Sequence, residues 1–181
     1  MLARPGRVLI EADEISRRVE ELNAEINRFY CGSPVHIVGV LDGCLLFLAD
    51  LIRRLEMPLE LSLVRVKTYE NARPAGEPAI PEGELSHLRG ARVLVVDDIY
   101  DTGATLAALA RSLRAAGAEE VRLCALLEKE KEHDREVGVD FLGFRIEDVF
   151  VVGYGLDYDG LYRNLPHIAE LEHRDEGRTI V

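Results

Sequence analysis

Arg92-Val93-Leu94-Val95-Val96-Asp97-Asp98-Ile99-Tyr100-Asp101-Thr102-Gly103-Ala104-Thr105 sets a run of branched apolar residues against two carboxylates and a short polar turn. The apolar part is continuous rather than alternating, the pattern of a strand covered on both faces in a parallel sheet. Beyond Thr105, the residues Leu106, Leu109, Ala110 and Leu113 recur at helical spacing and stop short of Gly117, a residue suited to a left-handed helix end. The stretch predicts strand, loop and helix, in that order.

In such a unit the helix start turns its backbone amides and positive dipole end onto the loop, which makes an anion site. Thr102 and Thr105 add hydroxyl donors, and Gly103 allows close approach of the backbone. Asp97 and Asp98 are acceptors at the strand's carboxyl end, suited to a sugar diol or to a hydrated divalent cation. A ligand with a phosphate at one end and a ribose diol beside it satisfies both halves. The phosphate patterns GxxxxGK[ST] and GxGxxG are absent.

Val93 to Thr105 resembles the phosphoribosyl pyrophosphate (PRPP) binding motif of the type I phosphoribosyltransferases. An ordinary buried strand with a solvated acidic end leaves Asp-Asp-x-x-Asp-Thr-Gly-x-Thr unexplained. The Asp-Thr-Gly of aspartic proteases works as a pair sharing one proton. Here a second copy would have to come from a partner subunit, and the helical pattern that follows does not fit an all-β protease. The resemblance implies an α/β fold with a central, mostly parallel sheet flanked by helices and a small hood formed by the N- and C-terminal segments.

The chain has 181 residues, 48% of them hydrophobic, enough for one sizeable core, and 1–181 reads as a single domain. It contains no apolar stretch of about 18 residues, and the N-terminus lacks an apolar signal core, so the expected location is the cytoplasm. Cys31, Cys44 and Cys124 are odd in number and widely spaced, which argues for thiols rather than a disulfide framework or a zinc site. A net charge of −11 opposes nucleic acid as a partner. For an enzyme of a polyanionic substrate, it calls for a divalent cation in the site.

Taken in order, residues 7–10 are a short apolar stub, and Ile15, Val19, Leu22, Ile26 and Phe29 mark an amphipathic helix. Val35 to Leu41 reads as a buried strand in which His36 is a core or partly exposed residue before it is a ligand. Leu41-Asp42-Gly43-Cys44 then opens a strongly apolar helix over 45–55, which is buried or meets another subunit. Leu59 to Thr68 alternates as a strand, and Tyr69 to Leu88 has the composition of a lid loop. Glu120 to Leu127, Asp140 to Ile146 and Phe150 to Tyr158 read as further extended segments.

Val40-Leu41-Asp42-Gly43 is similar to the pyrophosphate loop of the hypoxanthine-guanine phosphoribosyltransferases, with Asp42 where lysine is usual. An acidic side chain cannot donate to pyrophosphate, so this loop is expected to act through backbone amides around Asp42 and Gly43, or through metal-bridged contacts. The resemblance also implies a cis peptide at Leu41-Asp42. Arg65 to Asn71 resembles the start of that family's mobile loop, with Thr68 and Tyr69 as lid residues. Leu126-Leu127-Glu128-Lys129 fits the segment that sets a lysine against the purine 6-oxo group, whereas Glu130 to Val137 departs from the family pattern.

Phe150 to Asp157, continued through Tyr162-Arg163-Asn164-Leu165-Pro166, is the second specific match. It implies that Phe150 stacks on the purine, the Val151 backbone reads its edge, Asp157 holds magnesium and Arg163 reaches pyrophosphate. In the first motif it implies Asp101 as proton acceptor, Asp97 and Asp98 on the ribose hydroxyls and metal, and Thr102, Gly103, Ala104 and Thr105 on the 5-phosphate. The expected reaction takes PRPP and a 6-oxopurine, with Mg2+, in a homodimer or homotetramer. The readings set against it are a PRPP-binding regulator that takes nucleic acid, and a silent structural relative.

Overall fold

The computed structural model describes residues 4–68, 78–79, 85–131 and 137–172. In chain order the elements are β1 (Arg4–Ile10), α1 (Ala12–Tyr30), β2 (Val35–Leu41), α2 (Leu45–Ile52), β3 (Leu59–Arg65), β4 (Lys67–Thr68), β5 (Pro78–Ala79), β6 (Arg92–Tyr100), α3 (Ala104–Ala116), β7 (Glu120–Lys129), β8 (Phe141–Ile146), β9 (Val151–Val152) and β10 (Ile168–Glu172). Five strands form one sheet in the order β3-β2-β6-β7-β8, and every neighbouring pair is parallel.

The central strand β6 explains the unbroken apolar run. Leu94 and Val96 face α1 and α2, against Ile15, Leu22, Ile26, Phe47 and Leu51. Val93 and Val95 face α3, against Leu106, Leu109 and Leu113. Both faces are covered, so no position from Val93 to Val96 is left to be polar before the carboxylates begin. α3 closes at Gly117, where the Ala118 amide reaches the Leu113 carbonyl at 3.1 Å.

The hood is a separate antiparallel sheet, β1-β10-β9, built from the two ends of the chain as expected. The Leu41–Asp42 peptide is cis. Among the described residues no helix is long and apolar enough to cross a membrane, and all three cysteines are thiols.

Four expectations need adjustment. α1 buries Tyr30 at its end rather than Phe29, which lies at the surface against the Arg122 guanidinium. α2 stops at Ile52, three residues early, and Leu59 to Thr68 divides into β3 and β4. Phe150 to Tyr158 is extended only at Val151–Val152. Gly153, Tyr154 and Gly155 then take positive φ and turn the chain back on itself. Tyr69 and most of the expected lid over 69–88 lie outside the described residues. β5 pairs with β4, and Ser86–Leu88 is a 3-10 turn whose Leu88 is buried.

Candidate active site

All the carboxyl ends of a parallel sheet point the same way, so β2, β6 and β7 deliver their following loops to one edge. Two cavities of unlike chemistry open there. The first, about 370 Å³, is polar and is lined by Asp42, Gly43, Asp97, Asp98, Asp101, Thr102, Gly103, Thr105, Asp157 and Arg163, among others. The second, about 210 Å³, is lined by Asp98, Ile99, Asp101, Lys129, Phe150, Val151, Leu156 and Asp157. Asp98, Ile99, Asp101 and Asp157 belong to both walls, so the cavities adjoin.

The end of β6 and the loop after it are held by their own side chains. The amides of Asp98 and Ile99 donate to Asp97 Oδ1 and Asp98 Oδ1, each at 3.0 Å. The Ala104 amide donates to Thr102 Oγ1 at 3.3 Å, just after Gly103, which caps α3. Asp97 is only 5% exposed. Burial, with the adjacent Asp98 charge, pushes its carboxyl well above the ordinary range, and burial raises Asp98 as well. Two buried neighbouring carboxylates are oxygen donors that gain from a hard cation or from hydroxyl donors.

Glycines let the three loops interlock. A Cβ on Gly43 would stand 1.7 Å from Asp98 Oδ2, and one on Gly155, itself at positive φ, would stand 2.2 Å from the Gly43 carbonyl oxygen. The chain after β9 therefore rests on the loop after β2, and that loop rests on the carboxylate pair. Arg163 is fixed in the same stack. Its Nη2 pairs with Asp157 Oδ1 at 2.7 Å while Nη1 donates to the Gly155 carbonyl at 2.5 Å, and Asp157 Oδ2 accepts from the Gly160 amide at 2.7 Å.

Asp42 does not point a bare carboxylate into the polar cavity, because it pairs with Arg65 Nη2 at 2.7 Å. Arg65, at the end of β3, is a cation that sequence reading did not connect with this loop. Only the parallel register that sets Leu41 beside Arg65 reveals it.

At the mouth of the second cavity, Asp101 pairs with Lys131 and, at 3.5 Å, with Lys129. Asp148 pairs with the same two lysines at 3.4 and 3.0 Å. The hydrogen bond that Lys131 donates to Asp101 raises the Lys131 pKa, and the one that Lys129 donates to Asp148 lowers that of Asp148. Phe150 is 49% exposed and meets Tyr158 edge-on at 5.7 Å, which leaves a ring face for a flat ligand.

Most of the residues singled out in the sequence thus lie around the two cavities. Ala104 does not line either wall and serves as the first residue of α3. Thr68 lies in β4, two positions after Val66, which does line the polar cavity. Tyr69 lies outside the described residues. Sequence reading set Arg65 at the start of the mobile loop rather than beside Asp42, and it missed Lys131, Asp148, Ile99 and Leu156. Of these only Ile99 and Leu156 carried a signal, as apolar residues embedded in polar motifs.

The phosphoribosyl transferase domain model matches residues 10–159. The hypoxanthine-guanine phosphoribosyltransferase of Bacillus subtilis (strain 168) is 38% identical over 167 residues, which are 92% of this chain and 93% of the relative. This chain belongs to the hypoxanthine-guanine phosphoribosyltransferase family. The Staphylococcus aureus member is 34% identical over 166 residues, 91% of this chain and 93% of its own. In three dimensions, the crystal structure of a Bacillus anthracis member matches with a TM-score of 0.83 at 29% identity, over 94% of this chain and 100% of that one. The sheet and hood described above are those of the type I phosphoribosyltransferase fold.

Proposed function

We propose that this chain, acting as one catalytic domain, transfers the 5-phosphoribosyl group of PRPP to ring nitrogen 9 of hypoxanthine or guanine, releasing pyrophosphate and forming IMP or GMP. The observation that carries the reading is the shared wall at Asp98, Ile99, Asp101 and Asp157. A phosphorylated sugar in the polar cavity and a flat base in the apolar one would meet across it, with the reacting carbon and nitrogen brought together.

As pyrophosphate leaves, the anomeric carbon becomes cation-like, and the residues around it act by position and charge. Thr102, Gly103 and Thr105, with the amides opening α3, hold the 5-phosphate. Asp97 and Asp98 accept from the ribose hydroxyls. Arg163 and the Asp42–Gly43 backbone face the leaving group, and Arg65 supplies the positive charge that a lysine at position 42 would bring. Phe150 stacks on the base, Val151 presents its backbone to the base edge, and Lys129 donates to its 6-oxo group. Asp101 accepts the proton from ring nitrogen 7 as nitrogen 9 forms its bond to the sugar.

Asp97, Asp98 and Asp157 line the polar cavity and offer only oxygen, a donor type that suits Mg2+ better than a softer metal; they do not gather as a closed chelate, and water and substrate oxygens would complete the shell of the cation. When bound, the cation offsets charge on the departing pyrophosphate.

Leu45 and Leu46 on α2 and Leu61 and Leu63 on edge strand β3 are exposed, which favours a homodimer or homotetramer, to be measured by light scattering. Steady-state rates with PRPP and Mg2+ against hypoxanthine, guanine and xanthine test the whole reading. Turnover of the first two is expected, and no turnover of any would overturn it.

A further inference from the structure

The other end of the sheet holds a larger cavity, about 630 Å³, lined by His36, Glu60, His87, Arg92 and Glu119, among others. It stands apart from the active site: His36 and Leu41 are at opposite ends of β2, roughly 16 Å apart at the usual rise of a strand. The parallel register sets His36 beside Glu60 and Val38 beside Ser62. With a two-residue period, His36, Glu60 and Ser62 therefore leave the sheet on one face, where apolar side chains would otherwise pack. The 3-10 turn Ser86–Leu88 brings His87 over them.

Two imidazoles converge on one hydroxyl. His36 Nε2 is 2.8 Å and His87 Nε2 is 3.3 Å from Ser62 Oγ, and the two rings meet edge-to-face at 5.3 Å. On its far side His36 Nδ1 lies 3.4 Å from Glu60 Oε2. A carboxylate at that ion-pair distance favours the tautomer with the proton on Nδ1 and the Nε2 lone pair toward Ser62, the arrangement that orients a metal-bound imidazole. His36 is 8% exposed, so it has little freedom to turn away.

We propose that His36 Nε2, His87 Nε2 and Ser62 Oγ form a site for a transition cation of the Zn2+ class, with Glu60 as the positioning residue behind His36. In tetrahedral coordination at ordinary zinc distances, ligand atoms stand about 3.4 Å apart. The His87–Ser62 distance already meets that edge, and the His36–Ser62 distance is about 0.6 Å short of it, an opening that rotation of the Ser62 hydroxymethyl group supplies. The fourth position opens to the cavity and takes water. Imidazole ligands select Zn2+, Cu2+ or Ni2+ over Mg2+, so this cation is distinct from one held by the active-site carboxylates. Among the described residues no three His, Cys, Asp or Glu side chains gather as a chelate. The third ligand being a hydroxyl favours an exchangeable cation over a permanently held one.

The order Glu60, His36, Ser62 is also that of a hydrolytic relay. The amides of Gly90 and Ala91 in the cavity wall are already given to the carbonyls of Gly117 and Leu88. They leave no donor pair there for an oxyanion, so metal binding is the better reading.

The test uses the full chain, stripped with a chelator and then held in millimolar Mg2+ to occupy oxygen-only sites. It is titrated with Co2+ by visible absorption and with Zn2+ by calorimetry. We expect one Co2+ per chain with the visible bands of low coordination, displaced by an equivalent of Zn2+. His87→Gln, at an exposed position that does not threaten folding, should weaken Zn2+ by more than about tenfold while phosphoribosyl transfer is unchanged. Glu60→Gln should weaken it by about tenfold, and Ser62→Cys, which brings a thiolate to the same apex, should tighten it by at least about tenfold. Absence of stoichiometric binding, or the same isotherm for wild type and His87→Gln, would overturn the proposal.

Discussion

The two halves of the proposed active site, one for the phosphoribosyl group and one for the purine, are built in opposite ways. The phosphoribosyl half comes mostly from one short stretch, Asp97 to Thr105, whose strand, loop and helix place carboxylates, hydroxyls and amides with little help from elsewhere. The purine half has no such stretch: Ile99 comes from β6, Lys129 from the end of β7, Phe150 and Val151 from the hood, and Leu156 from the turn beyond. A charged, conformationally rich ligand can be gripped by local backbone geometry. A flat, mostly apolar one needs walls, and walls come from separate elements.

The largest test of that division is Asp101, which stands on the boundary. Asp101→Asn should lower kcat by about a hundredfold or more while the PRPP dissociation constant stays within about threefold. Wild-type turnover in this variant would remove Asp101 from proton transfer.

Phe150→Ala should act on one half alone. Loss of the stacked ring raises KM for hypoxanthine by about tenfold, with KM for PRPP within about twofold. A parallel rise in both would show that the halves are coupled through the hood.

Asp97 separates function from stability. Its raised carboxyl keeps a proton in the folded chain at pH values where the unfolded chain has released it. The stability this supplies is complete below about pH 3.9 and is lost as pH rises through the raised folded value. Asp97→Asn should therefore raise Tm at pH 7.5 by about 2–4 °C, with the gain shrinking toward pH 4, while weakening PRPP. Thermal melts across that range, without ligand, check the sign.

The smallest effect is expected at Asp42. Its pair with Arg65 is half exposed, so Asp42→Ala should change KM for PRPP by no more than about threefold. Asp42→Lys should fail to tighten PRPP, because it discards the partner that positions Arg65. Tighter binding would mean that the carboxylate is only a forfeited charge.

The sequence showed the sheet's centre clearly because Val93 to Val96 could be continuous only if both faces were covered, and α3 because its apolar spacing and Gly117 agreed. It misplaced the end of α1, where Phe29 and Tyr30 are adjacent aromatics that both fit the helical spacing and only the packing of Tyr30 under Arg92 decides which is buried. It read Phe150 to Tyr158 as extended because two valines and aromatics favour strands, whereas three successive positive φ values from Gly153 make a turn. Lys131 sat in a charged run with the look of a solvated surface until the end of β7 brought it to Asp101.

What the residues determined alone was chemistry carried by neighbours along the chain: a loop with donors suited to an anion, a carboxylate pair, a family. Bonds between neighbours in sequence have fixed reach, so their spacing can be read directly. Tertiary structure decided what depends on strand register and on how the loops stack against one another, including Arg65 beside Asp42, Gly43 under Gly155, and His36 and His87 around the Ser62 oxygen. Those meetings follow from how the strands align and which face each side chain takes, and a shift of one residue would undo them.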